Sequence, residues 1–430
     1  MTAPQTPDSA QPSAPADQPE RRGQYTALAI ATAAFGINFW AWSLISPLAP
    51  KYRDLLDLSP LAVSVMVAVP VIVGSLGRIP LGALTDRYGG RLVFTGLCFV
   101  AVVPVVFLAV MDSYPALLAG GFVLGLAGAS FAVGIPFVNA WFPPHRRGFA
   151  LGVYGIGNIG TAISGFLSPW LWDTSGRSAP YLAAAVALLA MGTVFWLVGR
   201  NAPGFTPTTV SLTKHFGSTL RLRSTYELAA LYAVTFGGFV AFGVYLPTYL
   251  TTAYDLSVAD AAARAAGFVI VATAARPLGG WLADHFGGVE VLRAVFGIVA
   301  FFAVVTAFTP VMPVLTVAML SMAAALGLGN GAVFALVGTR VPVGSVGAVT
   351  GVVGAAGGLG GFLPPIIMGA VYELTGSYAI GLMLLSDIAL AALVFVVFGM
   401  PGRGISWRDA WQTLRSTASP ASPRTPRPMR

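Results

Sequence analysis

Two arginines occur within long apolar stretches of the chain, where a charged side chain is unexpected. Arg78 lies in "VPVIVGSLGRIPLGALTDRYGGR" and Arg276 in "VIVATAARPLGGWLADHFGG". Each precedes an aspartate, Asp86 or Asp284, by eight residues. An arginine keeps its proton in proteins, and its planar guanidinium donates paired hydrogen bonds that match an oxyanion. The repeated pattern therefore predicts that two guanidinium groups bind a small anion.

Acidic partners for these arginines are scarce. Asp387 is the only carboxylate in the middle of an apolar stretch, and Glu227 lies at the edge of another. One acid cannot neutralise two arginines, so we expect the substrate to supply the missing negative charge. The alternative is that each guanidinium bonds to backbone carbonyls freed by Pro80 and Pro277. We expect Asp387 to serve packing, with a proton-binding role as the alternative.

The elements that must position the arginines are membrane-spanning helices. Of the 430 residues 56% are apolar and only 9% are charged, far from the composition of a soluble domain. The apolar residues fall in runs of about 20, the length that crosses a ~30 Å hydrocarbon core. We predict an all-α membrane protein with twelve spans at 26–48, 61–83, 92–110, 116–140, 147–171, 180–198, 227–251, 261–283, 291–309, 312–336, 347–371 and 377–399.

Basic residues are concentrated in every second connection. That set is Arg21, Arg22, Arg87, Arg91, Arg146, Arg147, Arg200, Lys214, Arg221, Arg223, Arg293, Arg340 and the arginines after residue 400. The alternate connections hold Lys51, Arg53, Arg177 and Arg264. This asymmetry predicts that both termini lie in the cytoplasm, with the protein in the cytoplasmic membrane. It also accounts for the net charge of +8 through membrane lipid, without nucleic acid.

The spans divide into two similar halves. We predict a disordered tail at 1–25, six-helix bundles at 26–198 and 227–399, a cytoplasmic linker at 199–226 and a tail at 400–430. The residues from Arg78 to Gly90 align without a gap on those from Arg276 to Gly288. Phe39, Ala41 and Pro47 likewise repeat as Phe239, Ala241 and Pro247. Duplicated bundles of this kind are typical of transporters that bind substrate near the membrane midplane.

Glycines recur along one side of spans five and eleven. They are Gly148, Gly152 and Gly155 in the first stretch, and Gly347, Gly351, Gly354 and Gly358 in the second. Such spacing allows close helix approach, which leaves room for only a small cavity; ordinary helix packing is the alternative. Asn158 adds a neutral polar group in span five, and Tyr232 and Phe236 share a face of span seven.

Several chemistries have no support in the residues. The single cysteine, Cys98, lies in an apolar run and excludes an internal disulfide. His145, His215 and His285 lie at loop positions, and neither a metal-ligand cluster nor a phosphate-binding loop is present. We therefore expect no enzyme activity, no catalytic residue, no metal and no cofactor.

With these motifs in view, the chain resembles the major facilitator superfamily. "GALTDRYGGR" is similar to its loop motif between spans two and three, which includes Asp86, Arg87 and Arg91. Within the superfamily it resembles the nitrate/nitrite porter family, which has an arginine in each of spans two and eight. The glycine-rich "GVYGIGNIG" and "GVVGAAGGLGGF" are similar to its signatures in spans five and eleven. The tandem Pro364-Pro365 and Asp387 lie outside that pattern.

The resemblance implies a twelve-helix carrier of nitrate, nitrite or both, working by alternating access. It implies that two arginines hold the anion while aromatic residues close over it. By position the site would contain Arg78, Arg276, Phe39, Phe131, Asn158, Tyr232 and Phe236. We expect a monomer that either exchanges nitrate for nitrite or couples nitrate uptake to protons.

Three other functions remain open. A carrier of formate or oxalate would also need a cationic site, and an anion receptor would bind without transport. A proton-driven drug exporter would require acids and a large pocket, which the sequence does not favour.

Overall fold

The computed structural model describes residues 18–143, 147–207, 220–341 and 346–400. The predicted tails at 1–17 and 401–430, and the linker residues 208–219, lie outside the described residues. The first helix begins at Gln18, so the last part of the predicted N-terminal tail is helical instead.

Twelve helical spans are long and apolar enough to cross a membrane, as the sequence predicts. The first span continues beyond the predicted end at 48, because Pro47 and Pro50 are accommodated within the helix. In the described part of the chain the spans are Gly23–Leu56, Pro60–Tyr88, Gly90–Val110, Tyr114–Trp141, Ala150–Ser175, Ala179–Val198, Arg223–Tyr254, Val258–Phe286, Gly288–Ala307, Met312–Arg340, Val349–Thr375 and Ala379–Gly399.

Four spans of the first half are interrupted. Span two breaks between Leu76 and Arg78, because Pro80 has no N–H to donate to the Leu76 carbonyl. Span five breaks where Asn158 donates its side-chain amide to the Gly155 carbonyl at 2.8 Å, in competition with the helix. The helical segments are Gln18–Trp42, Ile45–Leu56, Pro60–Leu76, Arg78–Tyr88, Gly90–Val110, Tyr114–Leu124, Ser130–Trp141, Arg147–Gly155, Ile159–Ser175 and Ala179–Val198, with 3₁₀ turns at Gly125–Ala129 and Ile156–Asn158.

The second half has fewer interrupted helices. Spans seven, eight and ten are each continuous despite Pro247 and Pro277. Span eleven breaks before Leu363, since the tandem prolines Pro364 and Pro365 are tolerated in a first turn but not in a helix interior. The segments are Arg223–Tyr254, Val258–Phe286, Gly288–Ala307, Met312–Arg340, Val346–Gly360, Leu363–Thr375 and Ala379–Val394, with a π-helical turn at Phe395–Gly399.

Glycines bring neighbouring spans of the second half into backbone contact. A Cβ at Gly327 or Gly331 of span ten would overlap the backbone of span eight at Ala272 or Arg276. A Cβ at Gly360 of span eleven would overlap Ala233 of span seven. Small residues are the usual means by which membrane helices pack this closely. These contacts fix spans seven, eight, ten and eleven around one another.

The two halves touch on the side of the molecule opposite the termini. Ser46 Oγ donates to the Val244 carbonyl at 2.6 Å, and Arg53 donates to Thr252 at 2.8 Å. The Leu61 N–H donates to Glu373 at 3.0 Å. Each of these bonds joins a residue of the first half to one of the second. The halves are therefore closed against each other at that side.

Candidate anion-binding site

The ring of Phe236 is in contact with both membrane-embedded arginines. The guanidinium carbons of Arg78 and Arg276 are each 5.1 Å from its centre. They are thus no further apart than twice that distance, although they belong to opposite halves. The Arg78 guanidinium also lies 5.6 Å from the ring of Phe131, and that of Arg276 lies 5.0 Å from Phe239. The aromatic faces stabilise the cations while leaving their edges available to an anion.

Both arginines lie deep in the membrane. Each is ten residues from the end of its span, at Tyr88 or Phe286, which corresponds to about 15 Å along a helix. Arg78 begins the second segment of span two, directly after the break at Gly77. Arg276 lies within the unbroken helix of span eight. The same residue type therefore occurs in two different backbone settings.

The hydrogen-bond donors of the arginines are only partly used. Arg78 is 6% exposed, and its NH1 donates to the Gly354 carbonyl of span eleven, while Nε has no partner. The Nε and NH2 groups of Arg276 are buried and have no partner. Neither guanidinium is paired with a carboxylate in the part of the chain that the structure describes. Buried donors of this kind normally have partners, so the site has unused capacity for an oxyanion.

Tyr232 extends the site along span seven. Its ring stacks on Phe236 with 5.0 Å between centres and an interplanar angle of 3°. Its hydroxyl is buried and has no protein partner. Phe334 of span ten packs edge-on against the same ring at 4.9 Å. The hydroxyl is thus a further hydrogen-bonding group left unpaired in the layer of the arginines.

The remaining predicted site residues lie at different places. Asn158 is buried at the break of span five, and its Oδ1 has no partner. Phe131 contacts Arg78, as described above. Phe39 packs against Phe35 and Trp42 within the first half, at 4.4 and 5.1 Å, so its recorded ring contacts are with neighbouring aromatics.

Only some of the glycines in spans five and eleven contact a neighbouring span. Gly358 packs against Ser75 of span two, as expected for close approach. A Cβ at Gly152, Gly155, Gly351 or Gly354 would meet no atom within 4 Å. Those four glycines lie toward the side of the termini, and an added side chain there would begin in open space, so their close approach stays a prediction. The surroundings of Gly148 and Gly347 lie outside the described residues.

The loop-motif residues lie at the end of the spans, away from the arginine layer. Arg91 donates to the Trp196 carbonyl at 2.7 and 3.2 Å, and its N–H bonds to Asn201. These bonds hold span three to the end of span six. Arg87 lies 5.5 Å from the ring of Tyr88, and Asp86 and Asp284 are exposed.

Asp387 lies on the outside of the bundle. Its side chain is exposed on a face of span twelve shared with Leu384, Ile388 and Leu390. The neighbouring Ser386 instead faces inward and donates to the Ala300 carbonyl. The packing role that we expected for Asp387 is therefore not seen, and the structure does not bring it to the arginines.

Sequence reasoning missed three residues of this region. Phe239 contacts Arg276, and its alignment with Phe39 in the repeat was the available signal. Phe334 contacts Tyr232 but is one aromatic among many in the chain. Asn330 is buried in span ten with both side-chain polar atoms unpaired. A polar residue within "ALGLGNGAVFALV" was its signal.

The chain matches known proteins over most of its length. Residues 31–365 match the family model of the Major Facilitator Superfamily. The chain is 45% identical to the probable nitrate/nitrite transporter NarK2 of Mycobacterium tuberculosis, over 87% of this chain and 96% of that one. It is 37% identical to the nitrite extrusion protein of Bacillus subtilis, over 91% of this chain and 96% of that one.

Solved structures with a similar fold are more distant in sequence. The human organic anion transporter MFSD10 has a TM-score of 0.71 at 14% identity, over 88% of this chain and 100% of that chain. A bacterial homologue of the human lysosomal transporter Spinster, in an inward-facing and occupied conformation, has a TM-score of 0.64 at 18% identity, over 93% and 98%. These structures share the fold, and the family model and the relatives at 45% and 37% identity show that the chain belongs to the nitrate/nitrite porter family of the major facilitator superfamily.

Proposed function

We propose that the protein carries nitrate and nitrite across the cytoplasmic membrane, with the anion bound between Arg78 and Arg276. The observation that carries this proposal is the pair of guanidiniums on the Phe236 ring, neither of which has a carboxylate partner. A charged group in the membrane is costly unless it is paired or hydrated. A small planar oxyanion supplies both the negative charge and the hydrogen-bond acceptors that the two guanidinium groups require.

Transport by alternating access agrees with the arrangement of the halves. Bonds such as Arg53 to Thr252 join them on the side opposite the termini, while the glycine faces nearer the termini are free. With both termini in the cytoplasm, as the basic loops predict, the proposed carrier is closed to the outside in this conformation. Rocking of the halves would then bring Gly155 and Gly354 into contact and open the other side.

Exchange of nitrate for nitrite is the form of coupling that the site supports best. Import of an anion against a negative interior costs about 2.3 kcal/mol per 100 mV, whereas one-for-one exchange moves no net charge. Proton coupling needs a titratable group in the pathway, and the arginines keep their protons. Asp387 is exposed on the outer face of span twelve, whereas the arginines are inside the bundle.

Counterflow in proteoliposomes tests the proposal directly. Vesicles loaded with nitrite should accumulate labelled nitrate from outside, and vesicles without internal anion should not. Unlabelled nitrate and nitrite should compete in the micromolar to low millimolar range typical of transported substrates, and formate or oxalate should compete poorly. Strong competition by formate would instead favour a carboxylate carrier, and nitrate binding without any flux would favour a receptor. Detergent-solubilised protein should behave as a monomer.

A further inference from the structure

Asn330 of span ten has a buried side chain whose hydrogen-bonding capacity is entirely unused. It is 2% exposed, and neither Oδ1 nor Nδ2 has a partner among the residues that the structure describes. The cost of leaving a buried amide unpaired is large enough that such groups usually bind water or a ligand. Replacement by a leucine of similar size would remove that cost, so packing alone does not explain an asparagine here.

The neighbours of Asn330 place it in the arginine layer. Gly331, the next residue, packs against the backbone carbonyl of Arg276. Phe334, one turn later on the same helix face, packs against Tyr232. Leu326, one turn earlier on that face, contacts Gly238 of span seven. Residues four apart lie on one side of a helix, so Asn330 faces the seam between spans seven and eight.

Other unpaired polar groups lie along the same seam. The hydroxyl oxygens of Thr235 in span seven and Thr273 in span eight are buried without partners. Thr235 contacts Gly329, the residue before Asn330, and Thr273 lies one turn before Arg276. Spans seven, eight and ten thus each have a buried, unpaired polar group along this seam, and Arg276 adds two unpaired donors. Because such groups normally bind water or a ligand, their occurrence on three neighbouring helices favours a polar ligand over a chance defect in one side chain.

The two halves differ at this position. The alignment of "GASF" at Gly128 with "GAVF" at Gly331 puts Ala127 opposite Asn330, so the first half has no amide at the matching position of span four. The first half instead has Asn158 in span five, where the second half has glycine at Gly357. Each half therefore supplies one arginine and one asparagine, from different spans.

We propose that Asn330 is a further anion-binding residue, which donates a hydrogen bond from Nδ2 to the anion held by Arg276. This inference rests on the proposed function, because it places Asn330 in the same site. It predicts that the anion is held by guanidinium groups from spans two and eight and by amides from spans five and ten.

Asn330→Leu tests the inference, because the two roles of an asparagine predict opposite results. We expect the melting temperature of the purified protein without nitrate to stay the same or rise, since an unpaired buried amide is removed. We expect the nitrate concentration that gives half-maximal thermal stabilisation to rise about tenfold, the effect of one hydrogen bond to an anion. Chloride at equal ionic strength is the reference salt. A lower melting temperature with an unchanged nitrate response would overturn the inference.

Asn38 is the matched control. It is also buried, but its Nδ2 donates to the Ala34 carbonyl at 2.8 Å and to Cys98 at 3.2 Å. Asn38→Leu should lower the melting temperature and leave the nitrate response of the folded protein unchanged. If the wild type neither responds to nitrate nor shows counterflow, the proposed function fails. If the wild type does both and Asn330→Leu binds nitrate equally well, only the role of Asn330 fails.

Discussion

The two halves of the molecule repeat several residues in sequence, but the helices that contain them are interrupted in the first half and mostly continuous in the second. In the first half, spans one, two, four and five are all interrupted, and Arg78 begins a new helical segment. In the second half, spans seven, eight and ten are unbroken, and Arg276 lies inside a helix. Arg78 already donates to Gly354 across the interface, whereas Arg276 has two buried donors without partners. Under the proposed function, Arg276 would mainly bind the anion and Arg78 would also join the halves.

The largest effect should come from Arg276→Lys. The variant keeps the charge but loses the fork of donors, two of which are free for the anion. We expect nitrate binding and transport to fall about 100-fold, as for the loss of two charged hydrogen bonds. Binding is measured by thermal stabilisation with nitrate, and transport by counterflow. Near-normal uptake at low nitrate would contradict the assignment of this arginine.

Arg78→Lys should also stop transport but weaken binding less. One of its donors already serves the Gly354 carbonyl, so about a tenfold loss of nitrate affinity is expected from the donors that remain. The ratio of binding loss between the two lysine variants measures the difference between the halves. Equal losses, or a larger loss for Arg78→Lys, would show that the comparison is wrong.

Gly155→Leu and Gly354→Leu should separate binding from transport. In this conformation a side chain at either position begins in open space, so folding and nitrate-dependent stabilisation should persist. Counterflow should fall to background, because the added side chain keeps the halves from meeting on that side. Gly360→Leu is the contrasting variant, since its Cβ would overlap Ala233 and the melting temperature should drop. Normal transport by either test variant would remove the gating role of that glycine.

The smallest effect should come from Asp387→Asn. The side chain is exposed on the outer face of span twelve, away from Arg78 and Arg276. We expect nitrate/nitrite exchange within about twofold of the wild type, as for an exposed substitution. Uptake driven by a pH gradient should be measured in parallel. If the wild type takes up nitrate on a pH gradient and Asp387→Asn loses only this uptake, the aspartate is a proton site.

The number and positions of the spans depend on composition and could be predicted from the sequence. The positions of the helix breaks depend on local hydrogen bonding and packing and could not. Hydropathy and loop charge predict twelve spans, and the structure confirms the spans. The position of Arg78 at a helix break depends on Pro80, whereas Pro277, one residue nearer to its arginine, leaves span eight continuous. The presence of a proline in the sequence therefore does not by itself show whether a membrane helix is interrupted.

The candidate site was predictable only where residue chemistry repeats. The arginines stand out because their charge is rare in apolar stretches, and the structure places both on Phe236. Phe239 and Asn330 were missed because an aromatic or an amide in a span has many ordinary explanations. The outward position of Asp387 depends on the rotation of span twelve, which a uniformly apolar helix does not reveal in its sequence.

The NH1 group of Arg78 donates to the Gly354 carbonyl, and the same donor is available to the proposed anion. The carbonyl belongs to the opposite half, so the bond contributes to the relative free energy of the conformations in which the halves meet there. An anion that takes over this donor removes that contribution and shifts the conformational equilibrium. By thermodynamic reciprocity, the conformation that keeps the bond must bind the same anion more weakly, by the same factor. Anion binding and the equilibrium between the conformations are then coupled by a single free energy.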